Sequence, residues 1–220
     1  WSDSYQWARR RITINSLGPK PQNFYDILKI GDLIYLQDSM SGKTLDQLPE
    51  AEAAFIASNP STGAILSYQG GFNFSKSNFD RVKQSFPQAG SSFKPFIYSA
   101  ALANGYKASD TINDAPIIFE DQNLESAWRP ENYTGKFYGP IRLREALVQS
   151  VNIVSIKLLR ELGIDKAHTF LENFGFPKSR LAPDLSLALG SSSFSPAEMI
   201  RAYNFLANSG EGKNLYFIEK

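Results

Sequence analysis

The fold of this 220-residue chain is decided by one segment, Gln88-Ala-Gly-Ser-Ser-Phe-Lys-Pro-Phe96. An apolar stretch over residues 94–103 begins inside it, with a proline near its start and Gly105 just after its end, and this pattern predicts a helix. Ser91 therefore lies where a loop turns into a helix, and Lys94 follows it at a spacing of three residues. Because residues three apart on a helix share a face, the two side chains are predicted to lie together.

This Ser-x-x-Lys spacing is one way to make a serine nucleophilic without a histidine. Burial lowers the pKa of a lysine amine below its usual value of about 10.4, so that the amine can accept the serine proton. The positive end of the helix would stabilise an oxyanion that develops beside Ser91. No lysine other than Lys94 has a serine three residues before it. The alternative is a serine that caps the helix, next to a solvated lysine.

The composition excludes most other catalytic arrangements. The chain has no Cys and a single His, which excludes disulfide scaffolds, zinc ribbons, Cys nucleophiles and His clusters. A Ser-His triad would need His168, which lies in an amphipathic helix and is interpreted as a surface or core histidine. The net charge of +1 gives no indication of nucleic-acid binding. No apolar run reaches about 18 residues, so no membrane span is predicted.

A second candidate site is Ser150-Val151-Asn152, the only Ser-x-Asn in the chain, between two predicted helices. A hydroxyl and a carboxamide two residues apart in a turn can both point into one cleft. The alternative is a helix cap, with Asn152 starting the helix that follows. Asn132-Tyr133-Thr134 matches a glycosylation sequon, which is interpreted as a coincidence.

The long polar region between residues 106 and 140 contains an aromatic-rich loop. Its rings could line a substrate groove or could pack the loop itself, and packing is slightly favoured. The residues concerned are Trp128, Tyr133, Phe137 and Tyr138.

The order of elements predicts an α+β fold with a sheet and a helical side. Two short strands, 53–57 and 64–68, flank a turn, and residues 106–140 are predicted to be a long loop. Helices are predicted over 94–103, 143–149, 152–162, 164–174 and 195–208, followed by a strand over 215–218. Ser195 and Glu198 have the spacing of a capping box.

Residues 1–45 differ from the rest and are predicted to form a linker and the base of a small β domain. Two short strands, at 11–15 and 34–36, are too few for a stable core alone. Gly42-Lys43-Thr44 is not a phosphate loop, because Gln37 stands where the first glycine should be. Since the sequence begins at Trp1, without an initiator Met, it is interpreted as part of a longer protein.

The segment around Ser91 resembles the active-site serine segment of class A penicillin-binding proteins, particularly the 1a type. The resemblance extends in order over about residues 48–220. It also rests on four further stretches: Ala57-Ser-Asn-Pro-Ser-Thr-Gly-Ala64 with Gly70-Gly71; Trp128-Arg-Pro-Glu-Asn-Tyr133; Leu143-Arg-Glu-Ala-Leu-Val-Gln-Ser-Val-Asn152; and Leu189-Gly-Ser-Ser-Ser193 with Ser195-Pro196 and Ala202-Tyr203.

This resemblance implies the penicillin-recognising serine-transferase fold, with residues 46–220 as the N-terminal part of a transpeptidase domain. Ser91 would attack the D-Ala-D-Ala bond of a peptidoglycan stem peptide, and Lys94 would be the general base. Ser150 would relay a proton to the leaving amine, and Asn152 would bind the substrate backbone and help hold Lys94. Trp128 would contact substrate. β-Lactams would acylate Ser91, and no metal or cofactor would be needed.

The family also implies features that this sequence does not contain. A third motif, Lys-Thr/Ser-Gly, is absent, and Lys43-Thr44-Leu45 does not replace it. The 220 residues alone are therefore expected to be inactive, with the missing strand supplied from elsewhere. Residues 1–38 resemble the linker after a glycosyltransferase domain and the start of an inserted OB-like domain, whose remainder would be absent between residues 36 and 48. An inner-membrane anchor and a periplasmic location are implied as well.

Three related functions compete with the transpeptidase assignment. A serine β-lactamase would need a carboxylate that activates the deacylating water, and no Glu-x-x-Leu-Asn follows Asn152. A D,D-carboxypeptidase would use water in place of the acceptor amine. A non-catalytic sensor domain would share the binding motifs. The source, the acceptor amino acid and the oligomeric state are not encoded in these motifs.

Overall fold

The apolar stretch that begins at Lys94 folds as a helix that is almost entirely surrounded by the rest of its unit. A computed structural model describes residues 5–40, 42–117 and 128–218. In it the helix α1 spans Lys94–Ala103, as predicted. Contacts divide the chain into two units, Trp1–Glu52 and Ala53–Lys220.

In its described residues, the first unit contains two antiparallel strand pairs and one 3₁₀ turn. In the second pair, Tyr35 lies opposite Asp46 and Ser39 opposite Gly42. The Gly42-Lys43-Thr44 stretch therefore lies in a β-strand, which agrees with the exclusion of a phosphate loop. The elements are β1 (Arg11–Thr13), β2 (Ser16–Leu17), the 3₁₀ turn Phe24–Asp26, β3 (Tyr35–Ser39) and β4 (Gly42–Asp46).

The second unit opens with the predicted strand pair, β5 (Phe55–Ser58) and β6 (Ile65–Gln69), which are antiparallel. The strand predicted over 215–218 is wrong in extent, because only Tyr216 forms a bridge, parallel to Ala64. Within the described residues every sheet is two-stranded.

The prediction of a long loop over residues 106–140 is partly wrong. Thr111–Asp114 forms strand β7 and Gly139–Arg142 forms β8, and the two pair antiparallel. Side chains along β7 alternate between exposed and buried, with Ile112 and Asp114 inside. Asn, Asp and Pro are depleted in strands, so their frequency in this region concealed a short strand that tertiary packing stabilises.

Five helices follow the predicted pattern, each to within a few residues of its predicted end. Gly163, with φ of +90°, terminates α3, and the left-handed backbone there is one that glycine adopts without strain. At the start of α5 both hydrogen bonds of the Ser195–Glu198 capping box are present. After α1, the helices are α2 (Leu143–Val148), α3 (Asn152–Leu162), α4 (Ile164–Glu172) and α5 (Pro196–Ala207).

An aromatic cluster forms the centre of the core. Phe93, at the start of α1, has ring contacts with Phe96, Phe176 and Phe194 at centroid distances of 5.1–5.6 Å. All four rings are buried. Burial of side chains this large stabilises a fold by roughly 1.5–3 kcal/mol each, and here it fixes the end of α1 that carries Lys94. No helix in the described ranges is both long and apolar enough to cross a membrane.

Candidate active site

Ser91 lies in a 3₁₀ turn, Gly90–Phe93, directly before α1. The residue at the N-cap of α1 is Phe93, so the interpretation of Ser91 as the cap of that helix is wrong. Ser91 is exposed, and its hydroxyl has no hydrogen-bond partner among the residues that the structure describes. The hydroxyl is therefore free to react with a molecule that enters from solvent.

Lys94 is completely buried, with 0% of its surface exposed. Its Nζ donates to the carbonyl oxygen of Ser150 at 2.7 Å, to Ser150 Oγ at 3.0 Å and to Asn152 Oδ1 at 2.7 Å. The alternative of a solvated lysine is therefore wrong. The structure brings together the Lys94 amine and the Ser-x-Asn segment, which are separated by more than fifty residues in the sequence.

Burial shifts the protonation equilibrium of Lys94 towards the neutral amine. Burial lowers the pKa of Lys94 from 10.5 to about 8, because an ammonium loses its hydration in this site. No carboxylate forms an ion pair with it within the described ranges. As an ammonium, Lys94 donates to all three acceptors. As a neutral amine it keeps two donors and gains a lone pair, which can accept a proton from a hydroxyl.

Ser150 is held in a backbone conformation that most residues avoid. Its φ is +53°, in the left-handed region, at the junction between α2 and α3. This turn aims the carbonyl oxygen and the hydroxyl of Ser150 at the same amine. Backbone of this kind persists only where the surrounding structure holds it, and such residues cluster at active sites and ligand-binding clamps.

Asn152 is the first residue of α3, after Val151 at the N-cap. The start of the helix at Asn152 is therefore confirmed, whereas the capping role is wrong, because neither Ser150 nor Asn152 is the N-cap residue. Its Nδ2 donates to the carbonyl oxygen of Glu131 at 2.9 Å, which leaves Oδ1 facing Lys94. Hydrogen bonds at both the oxygen and the nitrogen of the Asn152 side-chain amide therefore fix its orientation.

Sequence reasoning missed two further polar residues beside this site. Asn132 is 6% exposed, and its Oδ1 accepts hydrogen bonds from the backbone N–H groups of Asn152 and Ile153. Asp114 is 0% exposed and accepts from Asn132 Nδ2. Asp114 and Asn132 are 18 residues apart, a spacing that gives no periodic signal. Asn132 was noticed only as part of a sequon and of the Trp128–Tyr133 stretch, without a role of its own.

Ser91 opens into a cleft of about 340 Å³ that is shared with the second candidate segment. Two members of the aromatic loop, Tyr133 and Tyr138, contribute to its wall, whereas Trp128 is half-buried against the hydrophobic core. The residues that line the cleft are Ser91, Asn132, Tyr133, Thr134, Tyr138, Gln149, Ser150, Val151 and Asn152.

His168, the only histidine, lies outside this site. It is 6% exposed, and its Nε2 lies 2.9 Å from the carbonyl oxygen of Ala182. It is thus a core histidine, as interpreted from the sequence. In the described ranges no group of three His, Cys, Asp or Glu side chains is placed to hold a metal ion.

The loop before Ser91 is held by a segment about one hundred residues further along the chain. Gly90 N donates to the Gly190 carbonyl at 2.9 Å, and Ala89 N donates to the Ser192 carbonyl at 3.0 Å. The Tyr203 hydroxyl donates to the carbonyl oxygen of Ser92 at 2.6 Å. These contacts fix the backbone on both sides of the nucleophile candidate.

Comparison with known families identifies the domains to which both parts of the chain are similar. Residues 53–220 match the penicillin binding protein transpeptidase domain. Residues 2–51 match the penicillin-binding protein OB-like domain.

Curated relatives are similar over almost the whole chain. Penicillin-binding protein 1A of Pseudomonas aeruginosa is 47% identical over 99% of the chain, which covers 27% of that protein. Penicillin-binding protein 1A of Escherichia coli is 38% identical over 99% of the chain, which covers 26% of that protein. The chain therefore spans about a quarter of the length of these relatives.

Solved structures have the same fold. The crystal structure of penicillin-binding protein 1A from Haemophilus influenzae, 40% identical, superposes with a TM-score of 0.83 over 88% of this chain and 29% of that chain. The structure of PonA1 from Mycobacterium tuberculosis in complex with penicillin V, 25% identical, superposes with a TM-score of 0.65 over 76% of this chain and 48% of that chain.

Gly190 approaches the backbone of Gly90 too closely to carry a side chain. A Cβ on Gly190 would lie 1.9 Å from the Gly90 carbonyl oxygen, and φ at Gly190 is +72°. Gly190→Ala should therefore lower the free energy of unfolding by more than the roughly 1–2 kcal/mol that the left-handed backbone alone costs, as measured by urea titration.

Gly105→Ala is the matched control, because φ there is +97° but no atom lies within 4 Å of the added Cβ. The difference between the two variants isolates the contact with Gly90. Equal losses in both would show that this contact does not constrain the loop.

Proposed function

The chain belongs to the penicillin-binding protein transpeptidase family, and we propose that it carries the nucleophile of a D-alanyl-D-alanine transpeptidase that cross-links peptidoglycan stem peptides. One observation carries the proposal: a fully buried lysine amine is bonded to Ser150 and Asn152, which line the same cleft as Ser91. This arrangement supplies a nucleophile, a base and a proton relay without a histidine.

In the proposed first step the oxygen of Ser91 attacks the carbonyl carbon between the two terminal D-alanines. The neutral amine of Lys94 takes the hydroxyl proton as the C–O bond forms. Lys94 needs to be neutral for this step, and its lowered pKa of about 8 makes that form accessible near neutral pH.

The collapse of the tetrahedral intermediate breaks the C–N bond and needs a proton on the departing amine. Ser150 Oγ, 3.0 Å from Lys94 Nζ, is placed to pass that proton from the ammonium to the leaving D-alanine. The product is an ester of Ser91. The amine of a neighbouring stem peptide then attacks the ester, and the same residues carry its proton back to Ser91.

Asn152 binds the backbone of the stem peptide in this scheme. Its side-chain amide is fixed by Lys94 and by the Glu131 carbonyl, so it offers a preset partner at the cleft. Trp128 remains a proposed substrate contact through the aromatic loop, although the residues that line the cleft do not include it.

β-Lactams are the second proposed class of ligand, through acylation of Ser91. The penicillin V complex of the related PonA1 supports this assignment. The Lys-Thr/Ser-Gly motif that would complete the site does not occur in the 220 residues, so the proposal assigns it to another part of the protein.

We place the whole protein at the periplasmic side of a bacterial inner membrane, with a glycosyltransferase domain in the same chain. The proposed domain division is a linker and OB-like remnant over 1–45, followed by the transpeptidase part over 46–220. The OB-like match over residues 2–51 supports two parts, with the contact boundary at Glu52.

Ser91→Ala tests the nucleophile in the whole protein. Wild-type protein incubated with benzylpenicillin should gain the mass of one penicilloyl group, and tryptic mapping should locate it on Ser91. Ser91→Ala should gain no penicilloyl group, since the attacking oxygen is missing. Ser92→Ala is the control and should be labelled like the wild type, because the Ser92 hydroxyl bonds to the Ala89 carbonyl and has no part in the proposed reaction. Labelling of the Ser91 variant would place the nucleophile elsewhere.

Acylation should depend on pH through Lys94. Because the neutral amine is the active form and its pKa is about 8, the acylation rate should rise with pH to a midpoint near 8. Lys94→Ala should lower the rate by about 10²–10⁴-fold, the typical contribution of a general base. Stopped-flow measurements with a chromogenic cephalosporin give both quantities.

The exposed lysine of α4, Lys166, provides the control, and Lys166→Ala should keep the wild-type rate. A Lys94→Ala protein that is acylated at the normal rate would reduce Lys94 to a structural residue.

A further inference from the structure

We propose that Asp114 and Asn132 are positioning residues that hold Asn152 and, through it, the Lys94 amine in their reactive arrangement. The inference rests on the proposed function and adds to it two residues to which the sequence analysis gave no role in the site. Neither side chain bonds to Lys94 or Ser91 within the described residues, so their effect is transmitted by Asn152 and the backbone of α3.

Asn132 supplies the cap that α3 lacks in its own sequence. The N-cap residue of α3, Val151, has no side-chain cap. Asn132 Oδ1 accepts instead from the N–H groups of Asn152 at 3.0 Å and Ile153 at 3.2 Å, both at the first turn of the helix. A cap satisfies N–H groups that would otherwise have no partner and fixes where the helix begins.

Asp114 determines which way the Asn132 amide faces. Its two carboxylate oxygens accept from Asn132 Nδ2 at 3.0 and 2.9 Å, and Oδ2 also accepts from the Tyr138 N–H at 2.9 Å. Asn132 Nδ2 also donates to the Lys136 carbonyl. With the amino group of the amide directed to Asp114, only the oxygen can face α3.

The strand that carries Asp114 is itself bound to α3. Lys157, on α3, donates from Nζ to the carbonyl oxygens of Asn113 at 2.7 Å and Ala115 at 3.2 Å, on either side of Asp114. β7 and α3 are therefore joined at two points, through Asn132 at the first turn of the helix and through Lys157 at the second. An unbroken series of hydrogen bonds leads from Asp114 through Asn132 to the backbone of Asn152.

The neighbouring residue completes the connection to Lys94. The Glu131 carbonyl accepts from Asn152 Nδ2, so residues 131 and 132 together hold both the backbone and the side chain of Asn152. Asn152 Oδ1 in turn accepts from Lys94.

Loss of either positioning residue should disturb the site without removing a reacting group. Asp114→Asn keeps the shape of the side chain but puts an amino group opposite N–H donors. Displacement of reacting groups by about 1 Å can cost about 10²-fold in rate. Looser packing would also admit water to Lys94, raise its pKa towards its usual value and move the pH midpoint of acylation upwards.

The experiment compares acylation by a chromogenic cephalosporin in the whole protein for Asp114→Asn, Asn132→Ala and the double variant, across a pH series. Each single variant should be acylated about 10²-fold more slowly, with a midpoint above that of the wild type. Because the two residues act in series, the double variant should be no slower than the slower single variant.

Asn204→Ala is the control, because it removes buried hydrogen bonds between α5 and Ser58 of β5, and neither residue lines the cleft. It should keep the wild-type rate and midpoint. If one single variant does not fold, the acylation rate and pH midpoint of the other single variant test the inference.

Unchanged rates and midpoints in the variants, or an equal loss in Asn204→Ala, would overturn the inference while penicillin still labels Ser91 of the wild type. If the fold-loss in acylation rate of the double variant equalled the product of the two single losses, the two residues would act independently and not in series. Failure of the wild-type protein to be labelled at Ser91 would instead contradict the proposed function.

Discussion

The structure of the site depends on the burial of one amine. Lys94 is removed from water, and three acceptors from Ser150 and Asn152 replace its hydration. A buried ammonium is costly unless its hydrogens are bonded. The three hydrogen bonds therefore make burial tolerable, and burial brings the pKa of the amine down to about 8. A group with that pKa can hold a proton and release it again near neutral pH.

The remaining parts of the site serve to bring these groups to one place. The aromatic cluster around Phe93 fixes the start of α1, and the left-handed backbone at Ser150 turns two oxygens towards Lys94. The loop before Ser91 is held by the segment that begins at Gly190. Each of these contacts joins residues that are distant in the sequence, so the site exists only when the tertiary structure is complete.

The helices were predictable from the sequence because their signals are local. Periodic apolar residues, the proline after Lys94, the glycines after the helices and the capping box at Ser195 all act within one or two turns. The site residues Ser91, Lys94, Ser150 and Asn152 were selected from short spacings and a family resemblance, and the structure brings Lys94 to Ser150 and Asn152.

What the sequence did not reveal depends on long-range contacts. β7 was hidden by the Asn and Asp residues around it, and it is stabilised by pairing with β8. The roles of Asp114 and Asn132 could not be recognised, because a cap supplied from another segment has no fixed spacing. Whether Lys94 is solvated or buried was likewise undecided by its spacing from Ser91, since burial is a property of the packed core.

The most direct measurement is the titration of the Lys94 amine itself. Whole protein labelled with ¹³C at the lysine Cε carbons, with the Lys94 signal assigned by its loss in Lys94→Arg, allows this pKa to be followed by NMR. The account predicts a midpoint near pH 8, well below the midpoints of the exposed lysines. A Lys94 midpoint near the ordinary 10.5 would show that the amine is hydrated, and would contradict its assignment as the base.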